Sequence, residues 1–341
     1  MKKISSIMAL VLTVVLMLTA CQSSPAPVAE QPKGTPAAPA EKKAEPADDF
    51  PSKPITIYVD SKAGSSTDVI SRGFAKVAEK HAGVPFIIEN AEGGSGIIAL
   101  NTMLGKPADG YAWFQQSLTL GLNIATGQAP IKVNDVVPIA SLMEDYCVIS
   151  VKADSPYKTF DDLVKAAKEK PGKLNWGAAK VKTSMHILTL KVAKAAGIDV
   201  NYIAYDSANN AKLGLLGNNV EATSSSIGIV REDVKAGKLR VLGMTLAERS
   251  PEFPDVPTFK ELGYDYVTGY SVWRGLFVKP GIPQNRLDKM AEIIKKTVED
   301  SEWQEFLKQQ QLEDNYMDQP TFTKYFNDFV ADSTDLVKDL K

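Results

Sequence analysis

Past its first fifty positions the chain alternates between two periodicities. Short runs rich in β-branched and aromatic residues read as strands: Ile55 to Val59, Phe86 to Glu89, Ala112 to Gln115, Cys147 to Val151, Asn201 to Ala204, Ala222 to Ser225, Leu239 to Met244 and Gly275 to Val278. Between them the apolar residues recur at helical spacing. Asp68 to Lys80 places Val69, Ile70, Phe74, Val77 and Ala78 on one face. Ser184 to Ala196 stops at Gly197 and Asn210 to Leu216 at Gly217, where glycine can end a helix. A last helix is expected over Asn285 to Lys308, carrying Leu287, Met290, Ile293, Ile294, Val298 and Phe306. Strands alternating with helices predict an α/β fold of parallel sheets with covering helices. The body from about Phe50 to Lys341 is long enough for two lobes with separate cores. The expected division is 50–150 with 268–341 as the first lobe and 151–267 as the second.

The N-terminus breaks this pattern. Lys2 and Lys3 precede an apolar run from Ile7 to Leu18 that stops at Leu18-Thr19-Ala20-Cys21. The run is shorter than the roughly 20 residues a bilayer-spanning helix needs, and its charged start and small residues fit a signal peptide over residues 1–20. The Leu-Thr-Ala-Cys ending resembles a bacterial lipobox, which makes Cys21 the expected lipidation site and the protein an extracytoplasmic lipoprotein. Residues 21–49 are rich in Pro, Ala, Lys and Glu with little that could pack, the composition of a disordered tether.

Charge and side-chain inventory then remove several functions. A net charge of −2 with no basic stripe argues against a nucleic-acid partner. With Cys21 lipidated, Cys147 is alone in an apolar run and is expected to be a buried core thiol without a disulfide. The two histidines, His81 and His186, fall on different helices with no acidic or cysteine neighbour at ligand spacing, so a zinc site or a nucleophilic triad has little support. His81 reads as a solvated helix-end residue, and His186 as a polar residue in the first turn of its helix or one that faces a cleft. Gly94-Ser95-Gly96-Ile97-Ile98-Ala99 matches a dinucleotide-binding fingerprint, but the next strand ends Gln115-Gln116-Ser117 without the acid that would hold a ribose hydroxyl. A secreted Rossmann-like enzyme, or a ligand sensor using the same cleft, is therefore the alternative reading, and no cofactor is expected.

Three loops carry more information, because each follows a strand and opens a helix, where unsatisfied amide groups and the helix dipole favour an anion. Lys62-Ala63-Gly64-Ser65-Ser66-Thr67-Asp68 follows the first strand; Ala178-Ala179-Lys180-Val181-Lys182-Thr183-Ser184 and Tyr205-Asp206-Ser207-Ala208-Asn209 come later. Such residues commonly only cap helices, but open α/β sheets bind ligands at this edge. Candidate ligand residues are Lys62 to Asp68, Ser117 at the end of the third strand, Ala178, Ala179, Lys180, Thr183, Ser184, Tyr205 and Asp206. Whether Lys62, Lys180 or Arg274 touches the ligand is left open by the sequence.

From Phe50 to about Lys341 the chain resembles the tripartite tricarboxylate transporter receptor family, the TctC or Bug type of periplasmic binding protein. The resemblance rests on an ordered series: Phe50 to Ile55, Gly64 to Asp68, Asn90 to Gly96, Lys106 to Tyr111, Pro171 to Gly177, Thr183 to His186, Ala236 to Leu242, Glu248 to Pro251, Phe253 to Thr258, Trp273 to Leu276 and Pro280 to Pro283. It implies a two-lobed type II periplasmic-binding-protein fold, joined by hinge strands, that closes on a carboxylate and presents it to a membrane permease, as a monomer without catalysis. It also implies that Ala63, Gly64, Ser65, Ser66, Thr67, Asp68, Ala178, Ala179, Thr183 and Ser184 hold the carboxylate through amides, hydroxyls and bridging water. Two departures mark this chain. Asp60-Ser61-Lys62 stands where the family has proline and an aromatic residue, and Lys180 and Lys182 stand where glycine or serine is frequent, which implies a smaller or more cationic pocket.

Overall fold

The structure is a computed structural model that describes residues 48–338. The expected leader, Cys21 and nearly all of the expected tether lie outside the described residues. Asp48, at the end of that tether, is held: its carboxylate accepts from Arg286 Nε at 2.6 Å and from Asn285 Nδ2 at 3.0 Å.

The first half of the fold is built from β1 (Ile55–Val59), α1 (Ser66–Ala82), β2 (Phe86–Asn90), α2 (Ile97–Leu104), β3 (Ala112–Ser117) and α3 (Thr119–Ala125). The long β4 (Val137–Lys152) leads into α4 (Phe160–Glu169), β5 (Asn175–Ala179), α5 (Ser184–Ala196), β6 (Asn201–Tyr205), α6 (Ala208–Leu216), β7 (Ala222–Ser226), α7 (Ile227–Lys235) and β8 (Leu239–Met244). The chain closes with β9 (Ser271–Val278), α8 (Gln284–Glu299), α9 (Ser301–Gln310) and α10 (Gln319–Val337).

Among the described residues these strands form one sheet in the order β2-β1-β3-β9-β4-β7-β5-β6, with β8 also on β4. At each end lies a parallel set, β2-β1-β3 and β7-β5-β6, made by strand–helix–strand units. The two sets are joined through antiparallel strands. β4 pairs with β9 from Val137 to Tyr146, then with β7 and β8 from Cys147 to Lys152. One strand thus serves both halves, and the chain crosses between them again in the segment from β8 to β9.

The local signals explain most of these elements. α1 starts where the Ser65 hydroxyl accepts from Asp68 N–H and ends at Gly83, whose left-handed backbone returns its N–H to the Glu79 carbonyl. α4 starts in a capping box between Thr159 and Asp162. One core, with Ile57, Phe74, Trp113, Ile293 and Trp303, fills the first half. A second, with Val148, Leu215, Val230 and Met244, lies under α6 and α7. The largest runs through both halves, from Phe114 and Trp273 to Trp176 and Leu188.

Three expectations need correction. The helix read over Asn285 to Lys308 is two helices, because Asp300 is extended and its carboxylate caps α9 by accepting from Glu302 N–H at 2.9 Å. The strand read as Cys147 to Val151 is the last third of β4. β5 was not expected, since Asn175-Trp176-Gly177-Ala178-Ala179 has one large apolar residue; Gly177 must stay small because the Val220 and Tyr205 side chains lie about where its Cβ would contact them, at 3.0 and 3.1 Å. Cys147 is a free, buried thiol whose pKa burial pushes up.

Candidate functional site

The carboxyl ends of β1, β2 and β3 and those of β5, β6 and β7 carry the loops that the sequence singled out, and the strand registers bring both edges to one line. In the first half Ser117, the last residue of β3, lies beside Arg274 of β9. In the second half Ser226, the last residue of β7, lies beside Cys147 of β4. Between these two edges run Met143 to Tyr146 of β4, paired with Arg274 to Ser271 of β9. The helix starts of both halves therefore open over the same short stretch of two antiparallel strands.

The first loop is tied from beneath. Asp68 is buried, and its Oδ2 accepts from Gly64 N–H and from Arg72 Nε, each at 2.9 Å, while Oδ1 accepts from Asn90 Nδ2 at 2.9 Å. Burial works to raise the Asp68 pKa, but the bonds from Arg72, Gly64 and Asn90 outweigh it and hold the carboxyl below its ordinary value. With its acceptors committed inside the protein, Asp68 shapes the loop. Ser65 caps α1 and donates to Ser61 Oγ at 2.6 Å. Ala63, Gly64 and Ser66 are exposed and Thr67 half-buried, so their amides and hydroxyls line the rim of the first half. The Lys62 side chain is 80% exposed and 3.9 Å from Glu92, a loose surface pair.

Asp60 and Gln116 form the seam between this loop and the next two. Gln116 Nε2 donates to Asp60 Oδ2 at 2.7 Å, and Gln116 Oε1 accepts from Ser117 N–H at 2.7 Å. The Ser117 hydroxyl donates to Thr119 Oγ1 at 2.9 Å, at the start of α3. The glycine-rich segment presses on this seam. Gly93, Gly94, Ser95 and Gly96 all have positive φ, and a Cβ on Gly96 would fall 2.2 Å from Gln116 Nε2. What resembled a nucleotide fingerprint is thus a backbone that packs against the Asp60–Gln116 pair.

The second loop is also organised by internal bonds. Thr183 Oγ1 donates to the Lys180 carbonyl at 2.6 Å, and Lys182, left-handed at φ 60°, donates its N–H to His186 Nδ1 at 3.0 Å. His186 is buried against the Tyr202 ring, and burial lowers its pKa, so the imidazole is neutral and acts as the loop's acceptor. Tyr202 donates its hydroxyl to the Ala179 carbonyl, and Tyr270 donates to the Ser184 carbonyl at 2.7 Å. Ala178 is buried, Ala179, Thr183 and Ser184 are half-buried, and Lys180 is exposed. Tyr205 turns into the fold, its ring close to where side chains on Gly177 and Gly214 would stand; Asp206 is exposed.

Beneath these loops lies a floor of which the sequence raised Arg274 as an open question and passed over Asp145. Arg274 is half-buried, donates one guanidinium N–H to the Trp273 carbonyl at 3.3 Å, and leaves its buried Nε without a partner. Burial lowers its pKa while Asp145 and Asp60 act through space to raise it. Asp145 has a buried, unpartnered Oδ1 beside the start of α7, and burial raises its pKa against the pull of Ser226, Gly228, Arg231 and Arg274. Nothing in the sequence marks Asp145, which lies inside an apolar strand. Among the described residues no metal-ligating cluster occurs, and no helix is long and apolar enough to cross a membrane.

Comparison with known proteins agrees with this geometry. The family described as tripartite tricarboxylate transporter family receptor matches residues 70–341. A Cupriavidus necator protein, the UPF0065 protein in the gbd 5′ region, is 30% identical over 297 residues, 86% of this chain and 89% of its own length. The crystal structure of a TctC solute-binding protein from Polaromonas superposes with a TM-score of 0.78 at 30% identity, covering 84% of this chain and 99% of that one. MatC from Rhodopseudomonas palustris, determined with bound malate, shares the fold at 21% identity and a TM-score of 0.64, over 85% of this chain and 100% of its own.

Proposed function

The chain belongs to the tripartite tricarboxylate transporter receptor family, a family of two-lobed periplasmic solute-binding proteins, and on that premise we propose that it captures a small organic carboxylate between its lobes and delivers it to a membrane permease. The observation that carries this reading is the convergence of the β1–α1, β3–α3, β5–α5 and β7–α7 connections over one stretch of β4 and β9. Helix starts and loop amides favour an anion there, and a cleft formed by two α/β halves can close on it. Carboxylate binding is further supported by the malate held by MatC on the same fold. In this reading residues 50–150 with 268–341 form one lobe and 151–267 the other, and Ala63 to Thr67, Ser117, Ala179, Thr183 and Ser184 meet the ligand, with Ala178 buried behind them. Lipidation at Cys21 with a tether to residue 49 would keep the monomeric receptor at the membrane that holds its permease, and no reaction follows capture.

The test is a thermal-shift series with mono-, di- and tricarboxylates. A ligand at 100 times its dissociation constant stabilises the folded state by about 2.7 kcal/mol, which should raise the melting temperature by a few degrees. No shift with any carboxylate, set against a clear shift with a neutral or cationic solute, would overturn the proposal.

A further inference from the structure

We propose that Arg274 and Asp145, side by side on the floor of the cleft, form a two-point recognition site that selects carboxylates bearing a hydrogen-bond donor on the neighbouring carbon. The proposal rests on the carboxylate-receptor reading and assigns the residues and the ligand feature they select. Arg274 lies at the end of β3, opposite Ser117, and Asp145 is paired with Val272 two positions before it on β9. Both are therefore under the helix starts of both halves.

Each group is short of a partner in a complementary way. The guanidinium offers five N–H donors in a planar fork, yet makes a single hydrogen bond, to the Trp273 carbonyl, and its buried Nε donates to nothing. Asp145 Oδ1 is buried without a hydrogen-bond partner, while Ser226 and the Gly228 N–H at the start of α7 act on the same carboxylate and leave this oxygen free for a ligand. A buried charge left so under-bonded is costly unless a ligand completes it. The two side chains do not satisfy one another, for no ion pair joins Arg274 to Asp145 or to Asp60, although both carboxylates act on the guanidinium through space. Asp60 is moreover committed to Gln116 Nε2.

This arrangement sorts ligands. A guanidinium accepts a carboxylate in bidentate fashion, which fixes its plane as well as its charge. With one carboxylate so held, the Asp145 oxygen next to it repels a second carboxylate and accepts from a hydroxyl or an ammonium. Both kinds of substituent supply the same feature, a donor at the adjacent carbon. A bare hydrocarbon there leaves Oδ1 buried and unpaired, and a site built to bond a polar group rejects the analogue that lacks it.

Succinate, malate and aspartate test this directly, because they share a four-carbon skeleton and carry hydrogen, hydroxyl or ammonium at C2. By titration calorimetry the parent protein should bind malate or aspartate more tightly than succinate, and the better of the two identifies the donor. Arg274→Gln should weaken all three by about tenfold to a hundredfold, the loss expected for a charge-assisted pair of hydrogen bonds. Arg274→Lys keeps the charge without the fork, guards against misfolding of the neutral variant, and should lie between the two. Asp145→Ala, which removes the acceptor that an asparagine carbonyl would keep, should leave succinate affinity within about threefold while erasing most of the preference for the substituted acids. A parent that binds these acids but prefers succinate, or an Arg274→Lys and Arg274→Gln pair that both retain parental affinity, overturns the two-point site and leaves the receptor reading standing. A parent protein that binds none of the three, and no other carboxylate in the thermal-shift series, overturns both.

Discussion

Single residues decide how the loops reach the cleft. Gly96 is the clearest, because its φ is 97° and a Cβ there would meet Gln116 Nε2 at 2.2 Å and Asp60 Cβ at 3.3 Å. Gly96→Ala should therefore cost about 1–3 kcal/mol in urea denaturation, from backbone strain and from displacing the amide that holds Asp60. It should also weaken ligand binding in calorimetry, since the Asp60–Gln116 seam carries Ser117. Unchanged stability would mean that the seam yields freely. At this scale the sequence was informative about residue type and less so about role. The glycines and serines of the first loop announced a helix start, but that Asp68 and Ser65 are spent on holding it required the contacts with Arg72, Asn90 and Ser61. His186 read as a polar residue in the first turn of its helix or one facing a cleft; it is buried and accepts from the backbone of Lys182, a bond that depends on a left-handed residue no pattern signals.

Among the elements, α10 governs the floor from behind. Phe322 is fully buried, its ring stands edge-on to Trp273 at 5.2 Å, and a Cβ on Gly275 would lie 2.3 Å from it. The helix thus grips β9 on either side of Arg274. Phe322→Ala should destabilise the protein by about 3–5 kcal/mol, the range for deleting a buried aromatic side chain, and lower its melting temperature. Because β9 loses its backing, ligand affinity should fall as well, whereas a core substitution away from the cleft, such as Leu163→Ala on α4, should lower the melting temperature with affinity unchanged. Equal effects of the two on binding would show that β9 is not held by α10. β1 and β8 were legible from the sequence because their own apolar side chains fill a core; β6, an edge strand with no fully buried residue, was legible only from its tyrosines and Ile203. β5 and the break at Asp300 were not, for their conformations follow from what packs beside them and from a cap hidden within a helical period.

On the scale of the whole molecule, the halves are linked by β4 and by the passage from β8 to β9, and α10 packs against both α3 and α5. A ligand that touches both edges of the cleft binds the closed arrangement better and must shift the population toward it. Small-angle scattering with saturating malate or aspartate, whichever the calorimetry favours, should show a smaller radius of gyration than the free protein; tight binding with no change would place the ligand on one half alone. By itself the sequence determined the α/β class and the loops at which an anion could meet a helix start, because periodicity, glycine stops and caps act over a few residues; the two-lobed plan came from chain length and from the family resemblance. Only the tertiary structure decided where those loops converge, which of their side chains are already committed, and that Arg274 and Asp145 stand together beneath them. That outcome depends on the register of β4 against β9 and β7, which brings together residues 73 to 141 positions apart in the chain.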